Sequence, residues 1–295
     1  MRFILPIAAL FLCTHAVVPT VGSKPLPVVL WHGLGNPEAV LSFKSLIEEN
    51  ITGSYVHSLT IGDTVISDSL YGIIGNMNEI VKMACEQIAN DTNLQNGYNG
   101  IGFSQGSEFL RAVAERCPSP PMKNYISLGG QHQGTYALPF CGVNETGICG
   151  AVNGLFQTGV YDAYVQTVLV QAQIWHDPMN ETEYREKNLF LADINNEKTI
   201  NQEYKKNLAS LNNLVLVMFT RDSIVVPRES SWFGYYKEGD TSVMLSMNET
   251  RLYQEDRIGL KTLNDLGRLH LIGIDGDHVQ ISDEQFLELV NKYFY

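Results

Sequence analysis

The sequence predicts an α/β fold: a mostly parallel central sheet with helices on both faces and one inserted, largely helical region. Three observations predict it. Short apolar runs that read as buried strands recur at 26–31, 98–103, 125–128, 214–219 and 269–274. Segments with apolar residues three and four apart lie between them, and strands alternating with helices build a parallel sheet. The chain has 295 residues, 44% of them apolar, enough for one such domain with an insertion but short for two large ones.

The elements follow in order. Leu26 to Trp31 is a buried strand after prolines, and His32-Gly33-Leu34-Gly35 turns the chain. Pro37 to Asn50 reads as helix, with Val40, Phe43 and Ile47 on one side, and Tyr55 to Ile61 as strand. Met77, Ile80, Ala84 and Ile88 recur at helical spacing up to Asn90. Tyr98 to Phe103 is a strand, Ser104 to Arg116 a helix stopped by Pro118, and Tyr125 to Leu128 another strand. From Gly134 to about Lys206 the alternation lapses, which marks an insertion at 134–204. Within it Tyr161, Val165, Val168, Leu169, Ala172 and Trp175 make an apolar stripe at helical spacing. Leu214 to Phe219 resumes the buried strands and Leu269 to Ile274 is the last. Ser282 caps a final helix, with Gln285 as its capping-box partner. The core is thus assigned to 24–133 and 205–295.

Composition excludes some functions. With 20 basic and 32 acidic residues the net charge is −12, which argues against nucleic acid and against anionic lipid surfaces. Arg2 followed by the apolar run Phe3 to Cys13 and by small residues reads as a signal peptide over 1–23, removed on secretion, because the run is too short to span a bilayer. No later segment is long and apolar enough to span either. Outside the signal remain Cys85, Cys117, Cys141 and Cys149, an even number with three possible pairings and no Cys-x-x-Cys metal spacing. Glycan acceptor sequons begin at Asn50, Asn90, Asn144, Asn180 and Asn248, which together support the secretory route.

The chemistry centres on Gly102-Phe103-Ser104-Gln105-Gly106, a nucleophile elbow of the α/β-hydrolase fold. The motif alone is weak; a strand before it and a helix after it make it specific. A serine needs a base, and the base an orienting acid, in the chain order Ser, Asp or Glu, His. Four histidines follow Ser104: His132, His176, His270 and His278. His278 sits in a loop after the last strand, at the sheet edge where open α/β sheets build sites, and is the expected base. Asp222 follows the strand ending at Phe219 and is the expected acid; Asp193 and Asp240 follow no strong strand, and Asp277 is expected to shape the turn before His278. The backbone N–H groups of Leu34 and Gln105 are the expected oxyanion donors. His32 precedes the nucleophile and is expected to be structural.

On these residues the sequence resembles the palmitoyl-protein thioesterase family, close to its lysosomal type 1 member. The segments that carry the resemblance are Trp31-His32-Gly33-Leu34-Gly35, the elbow, the block Phe109 to Met122, Gly129-Gly130-Gln131-His132-Gln133-Gly134, Trp175-His176-Asp177-Pro178 and Phe190 to Asn195. Tyr204 to Leu208, Asp222 to Val225, Trp232-Phe233-Gly234 and Gly276-Asp277-His278 complete it. It departs from vertebrate type 1 enzymes at Asn36-Pro37, where an adjacent cysteine pair is missing, at Val226 and at Arg221. The resemblance implies a serine hydrolase that removes palmitate from cysteines of S-palmitoylated proteins in the lysosome, through an acyl-enzyme on Ser104, without cofactor or metal. It places Ser104, Asp222 and His278 in the triad and Leu34 and Gln105 in the oxyanion hole, and it implies the disulfides Cys85–Cys117 and Cys141–Cys149. Acyl-CoA or oxygen-ester lipids are the alternative substrates. A sixteen-carbon chain needs an apolar groove, each buried carbon being worth about 0.8 kcal/mol. Val165, Val168, Leu169, Ala172 and Trp175 are candidates for its wall, with ordinary packing as the competing reading.

Overall fold

The computed structural model describes residues 24–35, 37–137 and 147–295. The predicted signal peptide, Cys141 and Asn144 lie outside them. The strands are β1 (Val28–Trp31), β2 (Val56–Ser58), β3 (Tyr98–Phe103), β4 (Met122–Leu128), β5 (Asn213–Phe219), β6 (Tyr235–Lys237), β7 (Asp240–Leu245) and β8 (Leu269–Ile274). Six of them form one sheet in the order β2-β1-β3-β4-β5-β8, with every neighbouring pair parallel. The short β6 and β7 form a separate antiparallel hairpin.

Before β4 come the helices α1 (Leu41–Asn50), α2 (Val65–Tyr71), α3 (Met77–Asn90) and α4 (Gln105–Arg116). Between β4 and β5 lie α5 (Gly147–Thr158), α6 (Ala163–Val168), α7 (Val170–Gln173), α8 (Glu181–Lys187) and α9 (Leu191–Ile194). Then follow α10 (Gln202–Ala209), α11 (Arg251–Gln254), α12 (Leu260–Asp265) and α13 (Asp283–Phe294). Among the described residues no helix is long and apolar enough to cross a membrane.

Alternate residues of a strand point to opposite faces, so a sheet covered on both sides has two cores. Val29 and Trp31 join a cluster with residues of α3, α4, α10 and α12, while Val28 and Leu30 join one with Ile47 of α1 and Phe286, Leu289 and Val290 of α13. Strand β5 divides the same way: Leu214 and Leu216 belong to the first cluster, Val215, Val217 and Phe219 to the second. The disulfide Cys85–Cys117 ties α3 to the end of α4.

Residues 161–175 differ from the single helical stripe that their spacing predicts. Leu169 has extended dihedrals (φ −113°, ψ 111°) and separates α6 from α7. Buried glutamines stabilise the break: Gln166 Nε2 donates to Val160 O at 2.9 Å and Ala172 O at 2.7 Å, and Gln173 Oε1 accepts from Met77 N at 2.8 Å. The segment 73–75 pairs with both sides of the break, Gly75 N donating to Val168 O and Val170 N to Ile73 O.

The chain winds from β1 outward to β2, then returns to lay β3 on the other side of β1 and continues outward through β4, β5 and β8. The order reverses between β1 and β3. The loops leaving these two strands diverge, and the crevice between them is where such sheets bind ligands.

Candidate active site

Ser104 occupies that reversal. It stands between β3 and α4 with φ 51° and ψ −128°, a conformation that L-residues adopt only when the surroundings hold it. The turn needs its glycines for space. A Cβ at Gly102 would lie 2.5 Å from Ser107 Cα, and one at Gly106 2.3 Å from His32 O and 2.4 Å from Trp31 O. The helix therefore starts pressed against the end of β1, with Ser104 at its head.

His278 lies in the loop after β8. Its Nε2 is 2.7 Å from Ser104 Oγ and its Nδ1 2.7 Å from Asp222 Oδ2. A carboxylate only accepts, so Nδ1 carries the hydrogen and Nε2 is free to accept the Ser104 hydroxyl proton. Asp222, after β5, has a fully shielded side chain. Its Oδ1 accepts the N–H groups of Ile224 and Val225, both at 2.9 Å, which leaves Oδ2 for the imidazole. Asp277 ties the two loops together: it accepts from Ser223 N at 2.8 Å, Ser223 Oγ at 2.9 Å and His278 N at 2.8 Å. The backbone N–H groups of His278 and Ser223 hold its carboxyl below the usual carboxylate range.

The other histidines and acids lie elsewhere. His132 is buried, bonds Ser127 Oγ at 2.8 Å and stacks on Phe233; burial holds its pKa well below the usual value. His176 lies between the rings of Tyr184 and Tyr235 and bonds Glu181 at 2.7 Å. His270 bonds Asn213 and packs on Tyr293. Asp193 pairs with Arg116, and Asp240 holds the turn at Ser242.

A cavity of about 470 Å³ opens onto Ser104 and His278. Its walls come from the loops after successive strands: Gly33, Leu34 and Gly35 after β1, Gln105 at the elbow, Gln131 after β4, Ile224 after β5 and Val279 after β8. Val40, Phe43, Ile73 and Ile174 supply apolar surface. Leu34 and Gln105, the expected oxyanion donors, thus flank the serine. The stripe does not line this cavity. Val165, Leu169 and Ala172 pack with Val152, Val168 is half-buried, and Trp175 packs between Tyr136 and Phe156. The helix breaks at Leu169, and beyond the break Gln171 and Ile174 line the cavity instead.

Sequence reasoning also missed Ile73 and Gln131. Ile73 follows an irregular helix end and carries no periodic signal; Gln131 was visible only as part of the polar run after β4. Asn50, Asn90, Asn180 and Asn248 are exposed. Cys149 is disulfide-bonded. Among the described residues no group of three or more His, Cys, Asp or Glu is arranged to hold a metal ion.

A six-stranded parallel sheet with a serine on a strained strand–helix turn, a histidine after the last strand and a buried aspartate behind it defines an α/β-hydrolase. Residues 27–278 match the family model described as palmitoyl protein thioesterase. The chain is 52% identical over 293 residues to palmitoyl-protein thioesterase 1 of Caenorhabditis elegans, covering 97% of this chain and 98% of that protein. It is 36% identical over 249 residues to palmitoyl-protein thioesterase 3 of Dictyostelium discoideum, covering 84% and 83%. It is 26% identical over 266 residues to lysosomal thioesterase PPT2-B of Xenopus laevis, covering 85% of each. The chain belongs to the palmitoyl protein thioesterase family.

Proposed function

We propose that this protein is a lysosomal hydrolase that releases palmitate and similar fatty acids from thioester-linked cysteines of S-palmitoylated proteins and peptides. The observation that carries this reading is the bonded series Asp222–His278–Ser104 opening onto a largely apolar cavity, in a chain of the thioesterase family. The acyl carbonyl sits over Ser104 with its chain in the cavity. His278 Nε2 takes the Ser104 proton as Oγ attacks the carbonyl carbon. The oxyanion is held by the N–H groups of Leu34 and Gln105. His278 gives the proton to the departing sulfur, and the acyl group stays on Ser104 as an ester. A water molecule, deprotonated by His278, attacks that ester; the fatty acid leaves and the proton returns to Ser104. Asp222 holds the tautomer and balances the charge of the transient imidazolium.

The 134–204 insertion contributes one wall of the acyl site through Gln171 and Ile174. The names of relatives such as the Xenopus laevis protein support the lysosomal assignment. The test is a set of matched substrates: a palmitoyl-cysteine peptide, its palmitoyl-serine counterpart and palmitoyl-CoA. The highest kcat/KM is expected for the thioester peptide. A preference for the oxygen ester or for the CoA thioester would overturn the assignment of substrate.

A further inference from the structure

We propose that His32 is a positioning residue for acyl transfer: its ring clamps the Gly33 carbonyl and thereby aims the Leu34 N–H at the oxygen that gains charge when Ser104 attacks. The proposal rests on Ser104 as nucleophile and Leu34 as an oxyanion donor.

The loop after β1 lies directly on the nucleophile. A Cβ built on Gly33 would stand 3.0 Å from Ser104 Cβ and 3.6 Å from Ser104 Oγ. The next peptide group is formed by the Gly33 C=O and the Leu34 N–H. In a trans peptide these two bonds point in opposite directions, so fixing one fixes the other. His32 Nδ1 lies 2.7 Å from Gly33 O. A carbonyl only accepts, so Nδ1 donates a hydrogen to it, as Nε2 does to the Asp68 carboxylate.

The ring is itself anchored. His32 Nε2 lies 3.0 Å from Asp68 Oδ2, and Asp68 Oδ1 accepts from Ile61 N at 2.7 Å. His32 is 5% exposed and Asp68 2%. Helix α2 is otherwise turned inside out: Asp68 is its buried residue, while Ile66 is 74% exposed. A helix that only filled space would bury its isoleucine. This one spends its inward position on an acid that grips the ring. Gln105, which carries the other candidate donor, borders the same small cavity as His32, Gly33 and Asp68.

Two isosteres separate the clamp from mere packing. In His32→Asn the amide nitrogen takes the place of Nδ1 and still donates to Gly33 O. In His32→Gln it takes the place of Nε2, keeping the link to Asp68 and losing the donor to Gly33 O. We expect the glutamine variant to lose about 10- to 100-fold in kcat with KM little changed, somewhat less than deletion of an oxyanion donor. The asparagine variant should retain most of kcat. A long-chain alkyl trifluoromethyl ketone, which adds to the serine and places its oxyanion in the hole, should bind the glutamine variant weaker by the factor lost in kcat/KM. Hexadecanol, whose uncharged hydroxyl places no oxyanion in the hole, should bind it as it binds the wild type. Wild-type kcat in His32→Gln, or equal kcat losses in both variants tracking equal losses of melting temperature, would overturn the proposal. If the glutamine variant does not fold, Asp68→Ala removes the anchor of the ring from its other end, with lower kcat at constant KM expected and wild-type kcat overturning the proposal. The same series is run on a p-nitrophenyl ester beside the thioester peptide, so that a wrong substrate class leaves the comparison intact. Undiminished turnover in Ser104→Ala would instead remove the nucleophile on which the proposal rests.

Discussion

Replacing Asp222 by Asn changes one atom of the site and separates orientation from charge. Asp222 Oδ1 is held by two backbone N–H groups, those of Ile224 and Val225, so the amide oxygen of the variant stays there. The amide NH2 then faces His278 Nδ1, where the carboxylate stood at 2.7 Å. Two donors cannot share that contact. The imidazole must shift its hydrogen to Nε2, which then points a donor at Ser104 Oγ and cannot take its proton. Hydrolase triads altered in this way lose about 10⁴-fold in kcat, equivalent to about 5.5 kcal/mol of transition-state stabilisation. The full effect is expected here, because no solvent reaches the carboxylate to supply another base. The assay is kcat on a palmitoyl-cysteine peptide, with the melting temperature as control for folding. A folded variant retaining more than about a tenth of kcat would refute the tautomer reasoning.

Three further outcomes are expected. Ile174→Trp fills the apolar wall of the cavity, so hydrolysis of palmitoyl thioesters should fall while acetyl thioesters are cleaved as before; a uniform loss across chain lengths would place the acyl chain elsewhere. Cys85→Ser opens a bridge between positions 32 residues apart, and loop entropy sets the loss near 4 kcal/mol, read from denaturant midpoints; an unchanged midpoint would contradict it. Burial raises the Glu108 carboxyl from 4.5 to about 8. The native state therefore keeps a proton that the unfolded chain releases, so Glu108 makes stability fall as pH rises from about 4.5 to about 8. Glu108→Gln should flatten that fall in melting temperature, and an unaltered slope would count against the buried proton.

The parts of the fold legible in the sequence are those with a local cause. Tyr98–Phe103 and Leu269–Ile274 have the predicted bounds because each stretch ends where polar or turn residues begin, Ser104 after the first and Asp275-Gly276 after the second. Ser282 and Gln285 form the predicted capping box through contacts three residues apart. Ser104, Asp222 and His278 were readable because each follows a strand whose own signal is strong. The lining of the cavity beside Ser104 was not. Val165, Leu169 and Ala172 have helical spacing, but which side of a helix meets a cavity depends on the break at Leu169, and that break is held by Gln166 and Gln173 reaching distant carbonyls and amides. Nor was Asp68, a single acid 36 residues from His32, marked by any pattern. The hairpin of β6 and β7 also escaped notice, since Asp240–Leu245 is mostly exposed and lacks a buried face.

The central claim is that Ser104 carries the acyl group between two half-reactions. Rapid acid quench during turnover of a palmitoyl-cysteine peptide, followed by mass spectrometry of proteolytic fragments, tests it most directly. We predict palmitate in ester linkage on the fragment containing Ser104, and neither adduct nor turnover in Ser104→Ala. Palmitate bound to another side chain, or full turnover in that variant, would contradict the account.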